Sequence, residues 1–200
     1  MASEERALRT LMESRHTLDL ALEVMAPPLA RGARLLTDTL LADGRVLCCG
    51  NGGSGALAQH FAAAMLNRFH HERPGLSAIS LGADAVTLTS IAGDHGCEQV
   101  FARQVRALGR PGDALMLLDA GDGAANLVAA IEAARDRGLA IVALTGRGGG
   151  VLPALLDASD VELAAPGDSE ARVREIHLVA LHCLCDLIDA RLLGLEERDR

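Results

Sequence analysis

The fold is decided by the stretch Cys49-Gly50-Asn51-Gly52-Gly53-Ser54-Gly55, which runs on into Ala58-Gln59-His60-Phe61. The apolar run 45–49 before it predicts a short buried strand, and residues 56–67 after it predict a helix. Glycines let the backbone adopt positive φ and approach a ligand closely, while free N–H groups at a helix start favour an anion. The stretch therefore predicts a strand, a glycine turn and a helix that bind the phosphate of a small molecule.

The rest of the chain alternates between strand and helix patterns. Helical patterns at 3–24 and 28–41 come first, with Pro27 and Pro28 between them. Apolar runs then predict strands at 46–49, 76–81, 114–118, 139–144 and 161–164, and a long helix closes the pattern at 168–193. This order predicts an α/β fold with a parallel sheet covered on both faces. Ligands bind at the carboxyl ends of such strands, which makes 50–55, 119–124 and 145–150 the candidate loops.

Composition narrows the possible functions. The chain has 200 residues, of which 50% are hydrophobic, and one globular domain accounts for them. Its formal net charge of −8 argues against direct nucleic-acid binding. All of its cations are arginines, so the lysine chemistry of Schiff bases and P-loops is excluded. No stretch has signal or membrane-spanning character, so we expect a cytoplasmic protein without membrane contact. Five cysteines without CxxC spacing are expected to be buried, reduced thiols.

The glycine stretch also matches the dinucleotide-binding pattern Gly50-x-Gly52-x-x-Gly55. That site needs an acidic residue about 20 positions on, at the end of the second strand, to hold the ribose. Glu72 has the spacing but precedes the predicted second strand, and Asp84 lies beyond it. The context therefore argues against a nicotinamide or flavin site.

Several further motifs carry a resemblance to a known family. They are Cys49 to Ser54, Gln59-His60-Phe61, Asn67-Arg68-Phe69, Glu72-Arg73-Pro74, Leu144-Thr145-Gly146 and Arg172-x-x-Glu175-Ile176-His177. Together they resemble the SIS (sugar isomerase) domain, in the branch shared by phosphoheptose isomerase and the DnaA initiator-associating protein (DiaA). The run Cys183 to Asp189 looks closer to DiaA. The resemblance covers nearly the whole chain and implies a doubly wound, five-stranded, flavodoxin-like domain that forms a homotetramer.

The resemblance implies a single SIS domain over 1–200, with N-terminal helices at 1–42 used in oligomer packing, an α/β core at 43–193 and a tail at 194–200. In the isomerases of the family, a glutamate and a histidine move the proton, and histidine, glutamate and glutamine hold zinc. His60 and His182 match the two histidines, which makes them the candidate metal ligands and His182 the candidate catalytic residue. The glutamate position is Ala64 and the glutamine position is Arg174. A methyl group cannot move protons and a permanent cation cannot bind zinc.

The candidate ligand-binding residues are Asn51, Gly52, Gly53, Ser54, Arg68, Asp94, Asp119 and Asp122. The family's phosphate loop carries hydroxyls where this chain reads Asp119-Ala120-Gly121-Asp122-Gly123-Ala124. A carboxylate about 4 Å from a phosphate is repelled by roughly 4 kcal/mol at an effective dielectric near 20. A helix N-terminus stabilises an anion by only about 0.3–2 kcal/mol, so the repulsion is the larger effect. We therefore expect weak phosphosugar binding through this loop.

Other interpretations of these residues stay open. Asp119 and Asp122 are alternatively caps of the following helix, or partners of Arg174 in an emptied pocket. His60 and His182 are alternatively core or interface histidines whose hydrogen bonds are satisfied. A zinc site formed by His60, His177 and His182 is a further alternative.

The changed residues favour a non-catalytic homotetramer that needs no cofactor, binds the initiator DnaA and regulates replication initiation. Leu192 and Leu193 match the family's initiator-binding pair. The alternatives are a sedoheptulose 7-phosphate isomerase, in which zinc is possible, and a sugar-ligand sensor.

Overall fold

A computed structural model describes residues 2–195 of the chain. Within them, seven α-helices and five β-strands alternate after two leading helices, as the sequence predicts. In chain order they are α1 (Ala2–Val24), α2 (Ala26–Leu41), β1 (Val46–Gly50), α3 (Gly52–Leu66), β2 (Ala78–Ser80), α4 (Ala85–His95), α5 (Ala102–Leu108), β3 (Ala114–Leu118), α6 (Ala125–Arg137), β4 (Ala140–Thr145), β5 (Val161–Ala164) and α7 (Glu170–Leu193). Short 3-10 turns lie at Cys97–Gln99 and Pro153–Leu155.

The strands form one parallel sheet in the order β2-β1-β3-β4-β5. Successive side chains of a strand point to opposite faces, so every strand feeds two hydrophobic cores. Val46 and Cys48 enter a core with α2, α3 and α7, whereas Leu47 and Cys49 enter a second core with α5 and α6. The predicted α/β fold with a doubly wound five-stranded sheet is confirmed. Strand order reverses between β1 and β3, which is where such sheets bind ligands.

The element boundaries differ from the predicted ones in two informative places. Helix α3 begins at Gly52, so the glycine stretch is itself the first turn of the helix. Helix α2 begins at Ala26, two residues before the predicted start, so Pro27 and Pro28 lie in its first turn, where a missing N–H costs nothing. The predicted tail 194–200 lies outside the described residues from 196 onwards.

The cysteines and the membrane prediction can also be compared with the structure. Cys48, Cys49 and Cys185 are buried free thiols as predicted, and burial raises the pKa of Cys49 to about 12. Cys97 is exposed, which corrects its predicted burial. Between residues 2 and 195, no helix is both long and apolar enough to cross a membrane. The cytoplasmic location stays a prediction.

Candidate functional site

The glycine turn is shaped by close backbone approaches that a side chain would prevent. A Cβ on Gly50 would lie 2.8 Å from the Ser54 carbonyl oxygen and 2.9 Å from the Leu118 carbonyl oxygen. A Cβ on Gly55 would lie 2.7 Å from the Gly50 carbonyl oxygen. Gly52 has a φ of 52°, which favours glycine. These contacts bring the start of α3 tightly against the ends of β1 and β3.

Two asparagines join the loops at the point where strand order reverses. Asn51 follows β1 and Asn126 lies in the first turn of α6, and their side-chain amides exchange two hydrogen bonds of 2.8 Å. A cleft of about 510 Å³ opens beside them, lined by the glycine turn, α4 and Phe101. A larger depression of about 650 Å³ lies near α2 and β5, but it contains none of the candidate residues. We therefore place the candidate site at the β1 and β3 edge.

His60, a candidate metal ligand, and His182, the candidate catalytic residue, meet across α3 and α7. The Nε2 atoms of His60 and His182 lie 3.0 Å apart, so one ring donates a hydrogen bond to the other. Phe69 lies next to His182, with ring centroids 5.5 Å apart. Burial lowers the pKa of His182, and His60 and His70 lower it further. His60 is exposed and His182 is half-buried. Because its pKa is lowered, His182 is neutral at pH 7 and can accept a proton.

The residues around this pair do not fit the zinc ion that the family resemblance implies. Ala64 lies one helical turn beyond His60 and offers no ligand. Arg174 is a permanent cation that forms an ion pair with Glu170. His177 is fully buried and bonds the Thr145 carbonyl oxygen at 3.0 Å, so it does not join the other two histidines as a third ligand. Across residues 2–195, no cluster of three or more His, Cys, Asp or Glu side chains could hold a metal.

The loop after β3 is folded around its own carboxylate. Asp119 is buried and accepts hydrogen bonds from the amides of Gly121, at 3.3 Å, and Gly123, at 2.8 Å. The helix cap of α6 is Ala124, which makes no side-chain capping bond. Capping by Asp119 or Asp122 is therefore wrong: Asp119 satisfies loop amides that would otherwise be free to bind an anion, and Asp122 is exposed.

The hypothesis that Arg174 pairs with Asp119 or Asp122 is wrong. Its guanidinium pairs with Glu170, four residues earlier on α7. The side chain packs on the glycine turn, where a Cβ on Gly53 would lie 3.0 Å from Arg174 Cδ and Nε. The i,i+4 spacing of Glu170 and Arg174 was a sequence signal for this pair, but nothing in the sequence pointed to Gly53.

Three comparisons with known proteins bear on the identity of this site. A family model described as SIS domain matches residues 11–146. A phosphoheptose isomerase of Thiobacillus denitrificans is 52% identical over 177 residues, covering 88% of this chain and 90% of the relative. One from an Azoarcus strain is 50% identical over 193 residues, covering 96% and 98%.

The chain belongs to the SIS domain family, in its phosphoheptose isomerase branch. A solved phosphoheptose isomerase from Francisella tularensis superposes with a TM-score of 0.91 at 38% identity, covering 94% of this SIS domain chain and 99% of that structure.

These relatives correct the functional prediction. Their names favour the isomerase over the non-catalytic DnaA-binding protein, so the initiator-binding interpretation and its role in replication are wrong. The family branch is confirmed, but the closer likeness to DiaA is not supported. Ala64, Arg174 and the aspartate loop depart from the family pattern, but identities of 52% and 50% to these relatives outweigh the three departures.

The remaining candidate residues of the SIS domain have ordinary surroundings. Arg68 is exposed and lies 3.6 Å from Glu72. Asp94 is exposed on α4, and Asp84 caps that helix by accepting from the Val86 amide. Leu192 is half-buried and Leu193 is 38% exposed at the end of α7. Asn126 and Glu170 were not among the predicted site residues, because neither belongs to a motif.

Proposed function

We propose that this chain is an aldose–ketose isomerase that acts on sedoheptulose 7-phosphate. The proposal is carried by the His60 and His182 pair, with Nε2 atoms 3.0 Å apart on two helices. Helix α3, which bears His60, starts at the glycine turn, so His60 and the anion-binding end belong to one element, and α7 brings His182 to them. The relatives named phosphoheptose isomerase support the choice of substrate.

The chemistry requires a group that accepts a proton from carbon and a group that gives one to oxygen. His182 is neutral at pH 7 because burial and the nearby His60 and His70 lower its pKa. It is therefore the base that removes the proton from C1, the carbon next to the carbonyl, and returns it to C2, while the C1 hydroxyl gives up its proton as the C2 oxygen gains one. His60 is the group opposite, and it stabilises the enediolate by donating to its oxygen. A substrate that enters between the rings replaces their mutual hydrogen bond.

The spacing along α3 suits a long sugar phosphate. Seven positions separate Gly53 from His60, which is about 10 Å at 1.5 Å per residue. That distance is close to the span from the first carbon to the phosphorus of an extended seven-carbon sugar phosphate. A phosphate at the helix start therefore leaves the opposite end of the sugar near the histidines.

We propose that the reaction runs without zinc. The donor set around His60 and His182 lacks a third ligand, since Ala64 and Arg174 contribute none. Treatment with a chelator is expected to leave turnover unchanged, and added zinc is expected not to raise it.

Variants of the pair test the function. The purified chain is incubated with sedoheptulose 7-phosphate, and aldose formation is followed for wild type, His60→Asn and His182→Asn. We expect each variant to lose about a hundredfold or more in turnover, the usual contribution of a general acid or base. His16→Asn, an exposed histidine on α1, is the matched control and should be unaffected. Equal turnover in His182→Asn and the control would contradict the proposal.

We also propose that the isomerase works as a homotetramer. Only Thr17 and Ala21 of the 23 residues of α1 are buried within the chain. Leu8, Leu11 and Leu22 are 58%, 68% and 71% exposed. Contiguous apolar surface of this kind is typical of an interface.

A further inference from the structure

The depression of about 650 Å³ near α2 and β5 lies at the edge of the sheet opposite to the candidate functional site. Its walls are α2, Gly112 just before β3, and Val161 at the start of β5. The candidate site lies where the strands end, and the five residues of β3 separate the two edges by about 13 Å. The depression is therefore separate from the cleft beside the glycine turn. Its volume is within the range of about 300–1,000 Å³ that small-molecule sites have.

Two arginines on one face of α2 line this depression. Arg31 and Arg34 are exposed and three residues apart, so their side chains are neighbours on the helix surface. Within the described residues, neither guanidinium lies at ion-pair distance from a carboxylate. Both positive charges are therefore available to an external anion.

The two carboxylates in the same walls are already neutralised by cations that do not line the depression. Asp38 pairs with Arg191 of α7 at 2.9 Å, although its spacing of four residues would also suit Arg34. The Asp160 side chain is fully buried, pairs with Arg135 and accepts hydrogen bonds from two backbone amides. The depression therefore has a net positive wall, in a chain whose formal net charge is −8.

The other walls of the depression are largely apolar. Ala30, Leu35, Ala158 and Val161 line it together with the two arginines. Apolar walls with a few convergent polar groups are typical of a site for an organic ligand rather than for a free ion. A phosphate dianion can accept hydrogen bonds from two guanidinium forks, whereas a single carboxylate is satisfied by one. The lining therefore suits a phosphate group attached to an apolar body.

We propose that this depression is a second ligand site, which binds an organic phosphate monoester. Arg31 and Arg34 bind the phosphate group, and the apolar side chains of α2 and β5 contact the rest of the ligand. Arg191 contributes indirectly, because its ion pair with Asp38 keeps that carboxylate from neutralising Arg34. The site is independent of the proposed isomerase reaction, since it shares no residue with the candidate functional site.

Phenyl phosphate is the probe that tests this site, and turnover plays no part in the measurement. It is titrated into the full chain, and affinity is measured by calorimetry. We expect the double variant Arg31→Gln with Arg34→Gln to bind it about tenfold or more weakly, because the charge-assisted bonds are lost. We expect Ala158→Asp to weaken binding by several fold with both arginines in place, because a carboxylate then enters the wall.

A second pair of arginines supplies the matched control. Arg103 and Arg106 are exposed and three residues apart on α5, so changing both to glutamine removes the same charge at the same spacing. This control should bind phenyl phosphate as wild type does. Hydrogen–deuterium exchange locates the ligand, and we expect protection at 30–42 and 158–161.

Two further probes test the class of ligand. Benzoate has the ring without the dianion, and inorganic phosphate has the dianion without the ring. We expect both to bind about tenfold or more weakly than phenyl phosphate, because each makes only part of the contacts. Benzoate binding of equal affinity would overturn the assignment to phosphate, and equal affinity for inorganic phosphate would overturn the role of the apolar walls.

Three outcomes would overturn the site itself. The first is a wild type that does not bind millimolar phenyl phosphate. The second is equal affinity in the Arg31 and Arg34 double variant and in the control. The third is protection from exchange at 50–55 alone, which would place the ligand in the candidate functional site instead.

Discussion

At the scale of single residues, the position of Ala64 limits the chemistry most. It lies one helical turn beyond His60, where a carboxylate would face the same side of α3. We expect Ala64→Glu to increase turnover by about tenfold or more, because a second group for proton transfer then lies beside the pair. The measurement is kcat with sedoheptulose 7-phosphate, and Ala63→Glu, on the exposed neighbouring position, is the control. Equal rates in both variants would mean that the missing carboxylate does not limit turnover.

His177 predicts a pH dependence of stability. Burial lowers its pKa, and Arg174 acts in the same direction against the Thr145 hydrogen bond and Asp119, which raise it. In the unfolded chain His177 takes up a proton near pH 6.5, whereas in the folded chain it does so only at lower pH. The free energy of unfolding should therefore fall as pH drops below about 6.5, by at most about 1.4 kcal/mol per pH unit for this group.

Urea unfolding at pH 7.5, 6.5 and 5.5 measures this effect. His177→Gln should lose stability less steeply than wild type between pH 6.5 and 5.5, because it has no proton to take up. Parallel pH profiles for the two proteins would contradict the assignment to His177.

The sequence predicted the residues of the site better than their partners. The glycine turn and the two histidines stand in motifs, so their positions followed from the pattern. The bonds of Asp119 to its own loop and of Arg174 to Glu170 depend on side-chain rotamers and loop closure, which spacing does not encode. The aspartates were therefore expected to cap α6 or pair with Arg174, and they do neither.

At the scale of elements, one buried ion pair holds the segment after α3 to α7. The Arg73 Nε atom lies 2.5 Å from Asp189 Oδ1, and the two side chains are 2% and 1% exposed. Arg73 also donates to the carbonyl oxygens of Ala64 and Met65 at the end of α3. The pair therefore fixes the end of the helix that carries His60.

Breaking this pair should cost far more than breaking a surface pair. Arg73→Met leaves Asp189 buried and uncompensated, and we expect a loss of about 3–5 kcal/mol in the free energy of unfolding. Arg147→Met removes an exposed pair with Asp168 and should cost about 1 kcal/mol or less. Urea unfolding measures both, and a similar loss in the two variants would contradict the structural role of Arg73.

Element boundaries followed from the sequence wherever apolar runs were clear. The five strands lie where the runs predicted them, although β2 is shorter, at Ala78–Ser80. Helix α3 was placed four residues late, because three glycines in its first turn have low helix propensity. Tertiary contacts with β1 and β3 override that propensity here.

At the scale of the whole molecule, the exposed apolar face of α1 predicts assembly. Light scattering after size exclusion should give a mass near four times 20.9 kDa. We expect Leu11→Glu with Leu22→Glu to reduce that mass, because charges then enter the interface. Leu41→Glu, a comparably exposed leucine at the end of α2, is the control and should not change it. A monomeric wild type would contradict the tetramer.

The fold class followed from strand and helix alternation, and the family followed from motif order along the chain. The function did not follow as reliably, because individual substitutions at Ala64 and Arg174 were read as loss of activity. The relatives instead favour an isomerase, and the geometry offers His60 as the group that faces His182.

The central claim is that the His60 and His182 pair moves a proton on sedoheptulose 7-phosphate. Proton NMR in D₂O follows exchange at the carbon next to the carbonyl, in chelator-treated wild type and in His182→Asn. We predict deuterium incorporation by the wild type and none above background by the variant. Absence of incorporation by the wild type, or equal incorporation by both proteins, would contradict the account.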